Sequence, residues 1–162
     1  MLKKILVGLL IIVSFEGCLK GGNGEFTCNY DACALKAPAS EIQAVKDYLA
    51  SNSITAVEHC SGLFYIITEQ GTGNTPTVCG AVKAIYEGKL TDGSVFAPKD
   101  TAAFYLNEVI RGWANGIPLV KGGGKIQLFI PPTLGYGNTT PPGSTIPPNS
   151  ILIFDVKVEE VY

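Results

Sequence analysis

Two stretches of this chain gather the side chains most capable of chemistry, and both are apolar and aromatic. The first is Glu108-Val109-Ile110-Arg111-Gly112-Trp113, which holds the only tryptophan. The second is a Pro/Gly-rich loop from Pro131 to Ser150, in which Tyr136 stands between Gly135 and Gly137. A tyrosine flanked by glycines, on a loop too long to be mere connection, points to a functional hydroxyl. Residue types for other chemistries lack the right setting. His59 has no serine-triad pattern around it, and a lone histidine is usually structural. Gly122-Gly123-Gly124-Lys125 resembles part of a phosphate loop, but Ile126 stands where a Ser/Thr hydroxyl must meet Mg²⁺. It reads as a tight turn into a strand.

The order of these features resembles the FKBP-type peptidyl-prolyl isomerases. After Trp113 come Ile130-Pro131-Pro132-Thr133-Leu134-Gly135-Tyr136-Gly137, then Ile146-Pro147-Pro148-Asn149-Ser150, then a strand from Ile151 to Val158. The resemblance runs from about Thr77 to Tyr162. It implies an apolar pocket with Trp113 as its floor and Tyr86, Phe96 and Phe154 among its walls. Val109, Ile110 and Ile146 complete those walls. Tyr136 is expected to offer its hydroxyl to the substrate carbonyl, and the Ile110 N–H to hold the chain beside the proline. Tyr136, Trp113 and Tyr86 are thus the expected catalytic residues. The family often carries an aspartate directly after the phenylalanine aligned with Phe96, where this chain has Ala97. It often carries a large apolar residue two positions before Phe104, where this chain has Ala102.

Isomerising an X-Pro bond breaks no covalent bond, so the resemblance implies no nucleophile, metal, general base or cofactor. Its barrier, about 18–20 kcal/mol, is the partial double bond of the amide. A catalyst need only prefer the twisted amide to the planar one. The twisted form has lost its resonance charge separation, so a dry apolar pocket favours it. A donor that fits its carbonyl adds to the preference.

Several elements must position these groups. Val82, Ala84 and Tyr86 alternate with Lys83, Ile85 and Glu87, as on a half-buried strand. Asp92-Gly93 between Leu90 and Val95 signals a hairpin. Leu63 to Thr68 and Phe104 to Leu106 read as strands. Asn107 is placed to cap a brief helix through Arg111 and Trp113, ended by Gly116 and Pro118. From Lys125 to Pro131, Ile126, Leu128 and Ile130 point inward against Gln127 and Phe129. In the last strand Leu152, Phe154, Val156 and Val158 face the core. Upstream, Ser40 and Gln43 form a capping-box pattern, with Ile42, Val45 and Leu49 on one helical face and Asn52 at the end. The expected fold is α+β: an FKBP-like twisted antiparallel sheet wrapped over a short helix, with an N-terminal helical appendage.

The 162 residues suffice for one domain plus extras. Charged residues are sparse at 16%, and 19 glycines with 10 prolines suit a loop-rich β protein. A net charge of −2, with no basic run beyond Lys3 and Lys4, excludes the footprint of a nucleic-acid binder. The apolar run Ile5 to Phe15 is too short to span a bilayer but fits the core of a secretory signal. Gly17-Cys18 resembles a lipobox, with Cys18 acylated as the mature N-terminus; an ordinary cleaved signal is the alternative. Phe15 and Glu16 depart from the usual lipobox pattern. Lys20-Gly21-Gly22-Asn23-Gly24 then reads as a tether.

Four cysteines remain: Cys28, Cys33, Cys60 and Cys79. An even number in an exported chain points to disulfides. Three pairings exist; nearness in sequence favours Cys28–Cys33 with Cys60–Cys79. A zinc site is disfavoured, because His59 adjoins Cys60 and neighbours on a strand face opposite ways.

The division expected is a signal peptide at 1–17, an anchored tether and Cys loop at 18–38, a helical appendage at 39–60 and an isomerase domain at 61–162. The function expected is prolyl isomerisation of exported polypeptides by a protein lipid-anchored in a bacterial envelope. The rivals are a catalytically weak chaperone or binding module for Pro-containing segments, and a structural lipoprotein.

Overall fold

A computed structural model describes residues 28–162, so the signal, Cys18 and the glycine-rich tether lie outside the described residues. Six strands form one antiparallel sheet: β1 (Val57–Glu58), β2 (Phe64–Glu69), β3 (Ala81–Lys89), β4 (Val95–Tyr105), β5 (Lys125–Ile130) and β6 (Leu152–Val161). Their spatial order is β1-β2-β5-β6-β3-β4. Helix α1 (Ala39–Ser51) precedes the sheet, and α2 (Arg111–Gly116) follows β4 and runs on into a 3₁₀ turn, Ile117–Leu119. Among the described residues, no helix is long and apolar enough to cross a membrane.

The inner face of the sheet carries the alternating apolar residues. Val82, Ala84, Ile126, Leu128, Ile130, Leu152, Phe154, Val156 and Val158 are all buried there. Helix α2 lies close against β5 because it presents glycine to the sheet. A Cβ at Gly112 would meet Ile130 side-chain carbons at 2.5 Å, and one at Gly116 would meet Leu128 Cδ2 at 2.5 Å.

The outer face divides in two. Phe64 pairs with Phe129 and Phe129 with Ile153, so these three share a face. All are buried, because α1 covers them with Ile42, Val45 and Leu49, and Tyr48 lies 6.3 Å from Phe129. Phe129, expected opposite the inward residues, is therefore as deeply placed as they are, at 1% exposed. The other half stays in water and carries cross-strand pairs. Gln127 donates to Asp155 at 2.8 Å, Lys125 meets Glu69 at 2.7 Å, and Lys89 meets Asp155 at 3.6 Å. Exposed pairs of this kind each contribute about 0–1 kcal/mol.

Several local expectations are corrected. Helix α1 starts at Ala39 with Pro38 as its cap, so Ser40 sits inside the first turn and no capping box forms. Gln43 instead donates to Asp47 at 2.8 Å. Asn52 does end the helix, its side chain donating to the Tyr48 carbonyl at 2.8 Å. Asn107 does not cap α2; the residues after β4 form a turn closed by Glu108 N–H to Tyr105 O, and Ile110 holds the cap position. The strand expected at Phe104 begins nine residues earlier, at Val95. Its Pro98 hid it, but β4 is an edge strand with register shifts near that proline, where a missing donor is tolerated.

The disulfides join Cys28 to Cys79 and Cys33 to Cys60, not the sequence neighbours. Cys33 N–H bonds the Asp31 carboxylate at 2.8 Å in a tight turn that delivers Cys33 to the loop after β1. The fold thus brings the partners to Cα separations of 5.7 and 5.5 Å, inside the range a disulfide needs. The premise against a metal is also corrected, since Cys60 lies in a turn rather than a strand. Ligand atoms of Cys33, His59 and Cys60 come within 4.8 Å of one another, with both sulfurs committed to the disulfide.

Peptide mapping under non-reducing conditions is expected to recover Cys28–Cys79 and Cys33–Cys60; a Cys28–Cys33 peptide contradicts this arrangement. The bridges close separations of 51 and 27 residues, so each stabilises by roughly 3–4 kcal/mol in the chain-entropy model. Gly112→Ala is expected to cost about 1–3 kcal/mol in urea unfolding, through overpacking against Ile130.

Candidate functional site

Trp113 is the centre of an aromatic cluster built from four elements. Helix α2 sets its indole, 4% exposed, on the inner face of the sheet. Tyr86 from β3, Phe104 from β4 and Phe154 from β6 surround it edge-on, with ring centroids at 5.5, 5.0 and 5.3 Å. Phe96 continues the cluster, 5.3 Å from Phe154 and again edge-on. Each such pair contributes about 0.5–1.5 kcal/mol beyond its burial. The Trp113 Nε1–H has no acceptor among the described residues. Gly88 makes room beside the cluster, since a Cβ there would strike Phe96 Cε2 at 2.5 Å.

Above the indole opens a cleft of about 450 Å³. All eight residues expected at the site line it: Tyr86, Phe96, Phe154 and Trp113 as the aromatic base, then Val109, Ile110, Ile146 and Tyr136 at the upper wall and rim. The segment between β4 and α2 contributes Val109 and Ile110, and the Pro/Gly loop contributes Tyr136 and Ile146. Ile110 N–H has no backbone acceptor among the described residues, because α2 begins just after it with Trp113 and Ala114 N–H bonding its carbonyl.

Phe104 and Glu108 also line the cleft but were not expected as site residues, and Pro141 and Ser144 of the Pro/Gly loop line it too. Phe104 pairs with Val82 on the inner face only after two register shifts in the β3–β4 ladder, which counting from the Asp92-Gly93 turn does not reveal. Ala97 lines the cleft at the position where the family often has aspartate. Ala102 does not line it; it faces Ala84 across the ladder.

Tyr136 is fixed by its backbone and leaves its side chain exposed. A 3₁₀ turn, Pro132–Leu134, precedes it, and both Gly135 and Gly137 N–H bond the Pro132 carbonyl at 2.9 Å. Gly137 adopts φ +60°, a conformation that suits glycine. The Tyr136 ring is 38% exposed, and its hydroxyl has no hydrogen-bond partner among the described residues. Burial of the rest of the ring, with a smaller contribution from Tyr86, raises its pKa above the ordinary value of 10.0. The phenol therefore stays a donor throughout the neutral range.

A second depression, of about 360 Å³, lies against the outer face among Lys99, Lys125, Gln127, Asp155 and Lys157. Its polar groups largely satisfy one another across the strands, and it lacks the aromatic floor. The inner cleft is the better candidate on chemical grounds.

A short helix cradled by a bent antiparallel sheet, with an aromatic cleft at their junction, defines the FKBP-like class of α+β proteins. The chain belongs to the FKBP-type peptidyl-prolyl cis-trans isomerase family, whose sequence profile matches residues 73–159. A probable FKBP-type peptidyl-prolyl cis-trans isomerase of Haemophilus influenzae is 49% identical over 105 residues, covering 62% of this chain and 43% of that protein. FkpA of Escherichia coli K12 is 44% identical over 105 residues, covering 62% of this chain and 38% of its own length. The chain thus matches about two fifths of the length of these curated relatives. The crystal structure of Escherichia coli FkpA matches with a TM-score of 0.67 at 37% identity, over 76% of this chain and 60% of that one. A peptidyl-prolyl isomerase structure from Pseudomonas syringae matches with a TM-score of 0.65 at 27% identity, over 78% and 97%.

Ultraviolet titration of the parent chain minus Tyr136→Phe is expected to isolate one phenol with a midpoint above pH 10. A midpoint at or below 10 contradicts the burial described for that ring.

Proposed function

We propose that this chain is a peptidyl-prolyl cis-trans isomerase that assists the folding of exported proteins. The observation that carries the reading is the convergence of Trp113, Tyr86, Phe96, Phe154, Val109, Ile110 and Ile146 on one cleft beneath the unpaired Tyr136 hydroxyl. Proline enters over the indole, where the water-poor rings favour the less polar twisted amide. Tyr136 donates to the substrate carbonyl as the amide twists, and the Ile110 N–H holds the neighbouring chain. Nothing in this scheme transfers a proton or forms a bond, so the cleft needs no titrating group near neutrality.

The cellular setting follows from the N-terminus in the same reading. Residues 1–17 act as the signal peptide, and Cys18 carries the lipid that anchors the protein in a bacterial envelope. Residues 18–38 form the tether and Cys loop, 39–60 the helical appendage and 61–162 the isomerase domain. The disulfides at Cys28, Cys33, Cys60 and Cys79 suit an oxidising compartment. Substrates are Pro-containing polypeptides. One observation favours a second reading: Ala97 lines the cleft where the family often has a carboxylate. A cleft without that polar contact suits a chaperone that holds Pro-containing segments with little turnover.

The deciding test follows cis/trans isomerisation of an X-Pro peptide with the full chain and with Trp113→Ala, checked as folded by circular dichroism. The expected result is catalysis in the parent and a loss of at least tenfold in the variant. No catalysis in the parent, with retained peptide affinity, selects the binding-module reading. Tyr136→Phe is expected to lower turnover while binding of an apolar peptide is retained. Because the Tyr136 pKa is raised, its contribution should persist as pH climbs to 10, where an ordinary phenol is half ionised. A fall centred below pH 9 that Tyr136→Phe abolishes counts against the raised pKa, and turnover equal to the parent's in Tyr136→Phe counts against the assigned role.

A further inference from the structure

Two side chains from the segment ahead of the family-matched region reach the two elements that carry the cleft's central residues. Tyr30 donates from its hydroxyl to Asn115 Oδ1 at 2.6 Å. Asn115 is buried on α2, two residues after Trp113, and Arg111 at the start of α2 stacks over the Tyr30 ring at 5.4 Å. Glu41, in the first turn of α1, accepts from both Thr133 N–H at 2.8 Å and Thr133 Oγ1 at 2.7 Å. Thr133 lies in the 3₁₀ turn that precedes Tyr136.

These contacts are not incidental to folding the segment. Tyr30 lies between Cys28 and Cys33, which are fastened to Cys79 and Cys60 respectively, so residues 28–33 form a strap secured at both ends. Helix α1 is secured separately, by Phe64, Phe129 and Ile153 beneath it. Each anchored piece then spends one polar side chain on the site's own supports. The supports need it: α2 is six residues long, and the Tyr136 loop runs from Pro131 to Ser150 with little regular structure of its own. A helix that short does not hold its place unaided. A carboxylate that accepts two hydrogen bonds from one half-buried residue is among the stronger hydrogen-bonding arrangements.

We propose that Tyr30 and Glu41 are positioning residues of the prolyl-isomerase cleft. Tyr30 holds the helix that carries Trp113, and Glu41 holds the turn that sets Tyr136. The segment beyond the family match is thereby part of the working site. This inference rests on the isomerase reading above, but one readout does not. Trp113 is the chain's only tryptophan, so its fluorescence reports the cleft floor whether or not the protein turns over substrate.

The test uses the full chain with disulfides intact. Glu41→Ala is expected to lower kcat/KM five- to tenfold, chiefly through kcat, since Tyr136 acts in the transition state. Glu41→Gln, which keeps one acceptor oxygen for Thr133, should recover at least half of that loss on a logarithmic scale. Tyr30→Phe is expected to raise acrylamide quenching of Trp113 about twofold, while Glu41→Ala leaves it unchanged. The control is Lys46→Ala, which removes the α1 contacts to Glu58 and Phe64 but touches neither support. Equal loss of activity in Lys46→Ala and Glu41→Ala, both folded, means that α1 merely stabilises the domain and overturns the proposal. So does activity within 1.5-fold of the parent in Glu41→Ala, or unchanged quenching in Tyr30→Phe. An inactive parent whose Trp113 quenching still responds to Tyr30→Phe retains the Tyr30 contact and removes the isomerase reading instead.

Discussion

The architecture depends on bringing one short helix close enough to a twisted sheet to bury an indole. Six residues cannot form a stable helix on propensity alone; in water, helices below about 12–15 residues are marginal. Helix α2 therefore exists because its tertiary contacts hold it. Gly112 and Gly116 remove the side chains that would keep it off Ile130 and Leu128, and Trp113 then drops among Tyr86, Phe104 and Phe154. The same approach opens the cleft, because the rings that seat the indole also wall the space above it. Core packing and site construction are one act here.

The two faces of the sheet show why part of this was legible in the sequence. Where one face meets the core and the other meets water, alternation reads cleanly, as in Leu152, Phe154, Val156 and Val158 against Asp155 and Lys157. Phe129 broke the rule because α1 covers only part of the outer face, and no strand pattern records what a distant helix will do. The long β4 was hidden for a related reason. Pro98 is a breaker in a central strand but is tolerated on an edge, and edge position belongs to the sheet rather than to the strand.

The cleft residues were legible to a different degree. Trp113 and Tyr136 stood out through rarity and flanking glycines, and the other six came from a resemblance covering their part of the chain. The structure sets all eight around one space, although the supports at Tyr30 and Glu41 carried no local signal. Tyr30–Asn115 spans 85 positions and Glu41–Thr133 spans 92. Single polar contacts over such separations leave no periodicity or spacing to read. The cysteine pairing failed on the same ground, since proximity in sequence says little once a strap is laid across the far end of a sheet.

That strap has a consequence for how the chain must be made. Synthesis delivers Cys28 and Cys33 first, then Cys60, then Cys79. An oxidant working in order of appearance would join the first two to each other and leave the last two to pair, whereas the native bridges are nested, one inside the other. Either the sheet assembles while all four thiols are still reduced, or thiol–disulfide exchange must undo an early mistake. A protein of this build depends on a compartment that either delays oxidation until the sheet has formed or can shuffle disulfides as well as make them.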